Sequence, residues 1–387
     1  MIQRLRIRNY KSIREIDLAL SPIVALVGRN NAGKSNVVDA LSFVRDFIHP
    51  KASGTESLYS ALADRAGLEE VLFKGGDEKF FEIEIELAVA ASIFRYRVRI
   101  LGGLGGYASV ADESLQLKKG DRFVNLTERA QAGIQMVSLD GSRVGGYATN
   151  SRSVLSWANP DWVGFTFCDA VLNWRFNHLL PPLMRRENKT SEGQFLLRSG
   201  ENLSAWLLWL QTRRQKTFKK LTDTLRDLLP ELVAFTTWPS DTGHVHLAAD
   251  EVGLNRPISV VHMSDGELAM IALLSLIYAC ADTTRSSLFL EEPENYLHPH
   301  MLASFIRLAQ QAVRGNDSAP QLQMFCTTHS PLLLDQLELH DIVWIEKRDG
   351  ATGARKAADY EHLRTLVGDP EIGLGDLVYS GSLEQSR

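Results

Sequence analysis

The stretch IVALVGRNNAGKSNVVDALSFV, Ile23–Val44, decides the fold. It opens with five apolar residues, Ile23–Val27, a run suited to a strand buried on both faces. It closes on a helix expected from about Asn36 to Ile48, with Val37, Val38, Leu41, Val44 and Ile48 on one face. Between them GRNNAGKS, Gly28–Ser35, fits G-x-x-x-x-G-K-[ST] in the strand-to-helix context that motif requires. Gly28 and Gly33 permit a tight loop whose N–H groups point at phosphate oxygens. Lys34 adds a point charge for the β- and γ-phosphates, and Ser35 a hydroxyl for Mg²⁺. A glycine turn before an ordinary capped helix is the bland alternative, and the flanking strand and helix argue against it. The stretch therefore implies a purine nucleoside triphosphate with Mg²⁺ on an α/β core.

A bound triphosphate also explains a second stretch, LFLEEPENYLHP, Leu288–Pro299. An apolar strand ends there in two adjacent carboxylates, which are costly to desolvate without a cation. Glu291 suits Mg²⁺, directly or through its water, and Glu292 suits the water that attacks the γ-phosphate. Many such sites carry Asp where this chain has Glu291. The competing reading, an acidic flank favoured by the dipole of the next helix, loses weight once the phosphate loop is present.

Outward from these two stretches the pattern stays α/β. Residues 1–20 alternate as a hairpin, 80–100 as two strands, and glycine-rich loops interrupt weak strands from 101 to 155. Residues 160–235 read as largely helical, about 232–260 as strand–turn–strand, and 268–281 as a buried helix. Strands SLFLEE and LQMFCTTH follow, joined by a helix over 299–314. The expected layout is an ATP-binding lobe at 1–100, a middle insertion at 101–258, a C-terminal lobe at 259–345 and a tail at 346–387. Three separated cysteines in apolar settings suggest reduced thiols, and the longest apolar run, Met270–Ala281, is too short to span a bilayer. A soluble cytoplasmic protein is expected. A net charge of −5 excludes a wholly basic surface, so nucleic acid could meet only a local patch.

MSDGE, Met263–Glu267, opens the buried helix. Ser264 and Glu267 make an S-x-x-E capping box, which needs no ligand, yet a helix N-terminus with Gly266 permitting close approach also suits an anion. With IRNYKS, GRNNAGKSN, LFLEEPENYLHP and TTHSP in order, the chain resembles ABC-type ATPase heads of the SMC/RecF/OLD class. It is most similar to stand-alone AAA-family ATPases of that class without a Toprim domain. The middle stretch LLRSGENLSAWLLWL extends the resemblance over nearly the whole chain.

The resemblance implies a P-loop NTPase of the ABC/SMC-head type: a mixed-sheet core with a largely helical middle insertion, working as a head-to-tail dimer with two ATPs between subunits. Nucleotide contacts fall on Lys11 and Ser12, on Gly28, Arg29, Asn30, Asn31, Ala32, Gly33, Lys34, Ser35 and Asn36, and on Ser264, Asp265, Gly266 and Glu267. Of these, Ser264 and Gly266 would touch the γ-phosphate held by the other subunit, and Asn295–His298 would run across the interface. Metal falls to Ser35 and Glu291. Lys34, Glu292 and His329 are the catalytic set, His329 being the switch histidine that meets γ-phosphate and water; in TTHSP it could instead be a mere neighbour of a helix cap. No Gln lies between Lys34 and Phe80 to serve as a Q-loop.

Between Val171 and Lys220, Arg175, Arg185, Arg186, Lys189, Arg198, Arg213, Arg214, Lys216, Lys219 and Lys220 outnumber the acids, with Trp174, Trp206 and Trp209 among them. That mixture suits a DNA backbone and exposed bases, but Trp206, Leu207 and Leu210 form a stripe that reads better as core. The pairs His244/His246 and His298/His300 complete no metal site. The leading expectation is an ATP-hydrolysing switch for DNA maintenance, repair or antiphage defence, with a partner effector such as a nuclease and no membrane. An ABC transporter subunit, a nuclease and a non-hydrolysing scaffold are the alternatives. Too few residues follow His329 for a Toprim domain, which argues against the nuclease.

Overall fold

A computed structural model describes residues 1–49, 56–103, 106–130, 133–148, 150–282, 286–315, 322–361 and 373–375. Of the tail at 346–387, residues 362–372 and 376–387 therefore lie outside the described residues. The chain forms two compact units, Met1–Trp174 with Leu339–Thr365, and Arg175–Glu338 with Leu366–Arg387. The division at Trp174 falls inside 101–258.

In the first unit the opening hairpin is Ile2–Tyr10 against Ile13–Ala19, with Leu5 opposite Leu18 and Ile7 opposite Ile16. These apolar pairs are buried, whereas Arg4 and Asp17 pair at 2.6 Å on the wet face. That is the period of two expected of a sheet with one covered side. Ile23–Val27 is buried at all five positions. It lies parallel to Ile342–Arg348, which turns back antiparallel into Ala351–Lys356. The sheet continues through the opening hairpin to Phe80–Val89, Ser92–Gly102, Ala108–Lys119 and Arg122–Asn125. Helix Lys34–Ile48 buries Val37, Leu41, Val44 and Ile48, and its Phe43 meets Phe81 edge-on with ring centroids 5.1 Å apart.

A buried carboxyl fastens one side of this unit. Glu113, 2% exposed, accepts hydrogen bonds from Ser153 Oγ at 2.5 Å, Val154 N at 2.8 Å and Tyr96 Oη at 2.9 Å. Burial outweighs these donors and pushes its pKa up to about 7. Between the ordinary carboxyl range and pH 7 the folded protein thus holds a proton the unfolded chain has released, so this group's contribution to stability falls as pH rises through that window. Glu113→Gln is expected to flatten the decline in melting temperature between about pH 5 and 7.5; an unchanged slope would dismiss Glu113 as its source.

The second unit holds three parallel strands, Arg175–Asn177, Ser286–Glu291 and Leu322–Thr328. Phe176 sits opposite Phe289, and Phe289 opposite Phe325; their rings stack at 4.2 and 4.6 Å. Helix Pro299–Arg314 connects the last two strands, beginning on Pro299 where a missing N–H costs nothing. Residues 160–235 prove less helical than their composition suggests. Helices Leu203–Arg213 and Gln215–Leu228 form, but Arg175–Asn177 and Asn188–Lys189 are strands. Trp206 is buried, and its indole N–H donates to Ser275 Oγ within helix Asp265–Ala281 at 3.0 Å. Trp174 is buried as well, whereas Trp209 is half-buried and stacks on Trp206 with ring centroids 5.4 Å apart. Among the described residues no helix is long and apolar enough to cross a membrane.

Candidate functional site

The phosphate loop of the first unit owes its shape to two close approaches. A Cβ on Gly28 would lie 2.0 Å from Ile345 O, and one on Gly33 2.2 Å from Thr352 Oγ1. Gly33 also has φ 107°, a left-handed value that a side chain would strain. Lys34, 7% exposed, donates from Nζ to Gly28 O at 2.8 Å and to Arg29 O at 3.2 Å. Helix Lys34–Ile48 starts here with no side-chain cap and no acid in its first turn. Its leading N–H groups and positive dipole end thus meet no carboxylate of their own, the state that favours a bound anion. Ser35 is exposed beside them.

IRNYKS lies against this loop. Ser12 Oγ accepts from Asn36 Nδ2 and meets Thr352 Oγ1, both at 2.6 Å. Lys11 lies 2.6 Å from Asp39, which also takes the Tyr10 hydroxyl at 2.7 Å. Burial alone would raise the Asp39 carboxyl, but Arg65 and Lys11 hold it below its usual range. Lys11, Ser12, Arg65, Glu70, Phe73, Lys74 and Lys347 line an open cavity of about 580 Å³ beside this segment, and none of Gly28–Ser35 lines it. Thr352 is a residue that sequence reading missed. It donates to Ala32 O at 2.7 Å from 320 positions away, and only the turn after Ile342–Arg348 brings it there. Thr352→Val, which keeps the shape and loses both hydroxyl bonds, is expected to weaken ATP binding about tenfold. Calorimetry returning an unchanged affinity would remove Thr352 from the loop's support.

In the second unit two strand-end loops fasten each other. Glu292 N donates to Thr327 O at 3.0 Å, and Asn295 Nδ2 donates to Glu292 Oε2 at 2.9 Å. Glu294 Oε1 accepts from Thr328 Oγ1 at 2.7 Å and His329 N at 2.9 Å. The result places His329 Nε2 3.9 Å from Glu292 Oε1. The cap of the short helix Pro331–Leu334 is Ser330, whose Oγ accepts from Leu333 N, so His329 is the neighbour of a helix cap as well as of Glu292. Glu291 ends its strand facing Arg198 and, at 3.6 Å, His178. Among the described residues no group of three or more His, Cys, Asp or Glu could hold a metal by itself. Mg²⁺ takes one or two carboxylates and finds its other ligands on phosphate and water, and Glu291 would exchange its Arg198 partner to hold it.

The MSDGE turn forms the capping box offered by the sequence. Ser264 Oγ accepts from Glu267 N and Glu267 Oε2 from Ser264 N, closing the capping box. The glycine is also used, since a Cβ on Gly266 would come 3.1 Å from Tyr296 O. Tyr296 is exposed, in the turn leading to His298.

These features define an ATPase head of the ABC type, as found in SMC, RecF and OLD proteins, on an α/β mixed-sheet fold. The chain belongs to the family described as "AAA domain, putative AbiEii toxin, Type IV TA system", which matches residues 124–335, more than half its length. A second, "AAA ATPase domain", matches residues 1–116 and includes the phosphate loop. Among curated proteins, "DNA replication and repair protein RecF" of Arthrobacter sp. (strain FB24) is 29% identical over 126 residues, 31% of each chain. "OLD nuclease" of Thermus scotoductus is 38% identical over 50 residues, 13% of this chain and 10% of that one. The chain thus aligns with under a third of these relatives' length. Among solved structures, an Smc head bound to the C-winged helix domain of ScpA superposes with a TM-score of 0.54 at 15% identity, covering 92% of this chain and 96% of that one. The Smc head domain of Pyrococcus furiosus gives 0.51 at 14%, covering 95% and 99%. At such identities the likeness is one of fold.

Proposed function

We propose that the chain is a Mg²⁺-dependent ATPase that closes as a head-to-tail dimer around two ATP molecules, coupling the cycle to DNA or to a partner effector such as a nuclease. The observation that carries this reading is the bare N-terminus at Gly33–Lys34, backed by Ser12 and Thr352 and free of acids. Lys34 and the loop N–H groups bind the triphosphate, while Glu292 accepts a proton from the attacking water and His329 orients that water. Ser35 and Glu291 are the groups that would hold Mg²⁺, which would supply positive charge to the triphosphate. Ser264 and Gly266 are assigned to the γ-phosphate bound by the partner subunit.

The RecF and OLD relatives, and the toxin in the family description, support a role in DNA repair or phage defence. Arg213, Arg214, Lys216 and Lys219 are exposed at the corner of two helices and make no ion pair among the described residues. ATP turnover with and without duplex DNA, combined with the mass in solution at saturating ATP, tests the proposal. A protein that binds no ATP, or that hydrolyses it only as a monomer, would defeat it.

A further inference from the structure

Arg185 counts in the sequence as one more cation of a basic stretch, but its side chain turns away from solvent. Nη2 donates to Met263 O at 2.6 Å, and Nη1 lies 2.7 Å from Asp265 Oδ1. The guanidinium therefore grips the MSDGE turn on both sides of its cap, Ser264. Arg185 has a firm base: it follows the short helix Pro181–Met184, which starts on two prolines and ends in a fully buried Met184. The capping-box bonds run within the turn and fix its internal shape, but they do not set its orientation. A planar fork with two separate acceptors does, and a lysine, with one compact charge, could not match it.

Charge gives the fork a second use. A turn meant to meet a γ-phosphate should not carry free carboxylates, yet this one has Asp265 and Glu267 in its first helical turn. Glu267 is committed to Ser264 N, and Arg185 neutralises Asp265. We propose that Arg185 is a positioning residue: it orients Ser264 and Gly266 toward the partner subunit's γ-phosphate and cancels the Asp265 charge that would repel it. This rests on the reading of the chain as an ATP-clamped dimer.

The test uses the full chain carrying Glu292→Gln, so that ATP is not consumed, with dimerisation followed by sedimentation velocity. Adding Arg185→Ala is expected to weaken the ATP-dependent dimer about tenfold or more. Adding Asp265→Ala to that variant should recover part of the loss, because the repelling charge is gone. An Arg185→Lys variant should lie between, and it serves should the alanine variant fail to fold. An unchanged dimer overturns the proposal, and so does a weakening that Asp265→Ala leaves untouched. If the Glu292→Gln parent binds ATP but stays monomeric, the dimer reading itself has failed, and the role of Arg185 falls with it.

Discussion

Replacing Lys34 by alanine is expected to abolish ATP binding at any practical concentration, a loss of roughly a hundredfold or more in affinity. The ammonium is nearly buried and spans the loop, holding Gly28 O and Arg29 O. Its removal takes the buried positive charge from the loop, leaving exposed Arg29 as its remaining cation, and leaves two carbonyls without that donor. The fold should survive, because alanine is the best helix former and the apolar face of helix Lys34–Ile48 runs from Val37 to Ile48. Thermal melting separates the two effects. Wild-type protein should gain stability with added ATP and the variant should gain none, at similar starting stability. ATP-dependent stabilisation persisting in Lys34→Ala would refute this assignment of the phosphate loop.

Glu292→Gln should do the reverse, leaving ATP bound while turnover falls by roughly 10²- to 10⁴-fold, the range for loss of a general base. Glutamine has the same shape and can still accept from Asn295, but it cannot take a proton from water. The backbone at this position is fastened independently of the carboxylate: Glu292 has φ 46° and its N–H donates to Thr327 O. A strained non-glycine residue at a strand end, kept in place by its neighbours, is a common feature of catalytic sites. Rapid-quench measurement of phosphate release gives the rate, and the mass in the presence of ATP shows whether the dimer accumulates. Phosphate release at the wild-type rate would strip Glu292 of its role.

Most of the candidate site could be read from local order. GRNNAGKS, MSDGE, LFLEEP and TTHSP each carry their conformation within a few residues: glycines where the backbone must turn tightly, an acid pair where an apolar strand stops, a serine where a helix starts. The partners of these segments could not be read. Glu294 sits within a recognised motif, yet its bonds to Thr328 and His329 exist only because two parallel strands end level. Arg185 and Arg198 look alike in sequence as members of a basic run. Packing sends one to the MSDGE turn and the other to Glu291. The mix of strand and helix across 160–235 also escaped the sequence, since a three-residue strand such as Arg175–Asn177 has no periodicity to detect and forms only when Ser286–Glu291 offers it an edge.

By itself, then, the sequence carried the elements of the proposed chemistry: a glycine–lysine loop, an acid pair and a histidine, each set by short-range backbone preference and by the cost of leaving charge unpaired. Tertiary structure alone decided what supports them, from Thr352 behind Ala32 to the arginine fork on Ser264's turn. Those contacts join residues tens to hundreds of positions apart, and a hydrogen bond between distant segments leaves no mark on the composition of either.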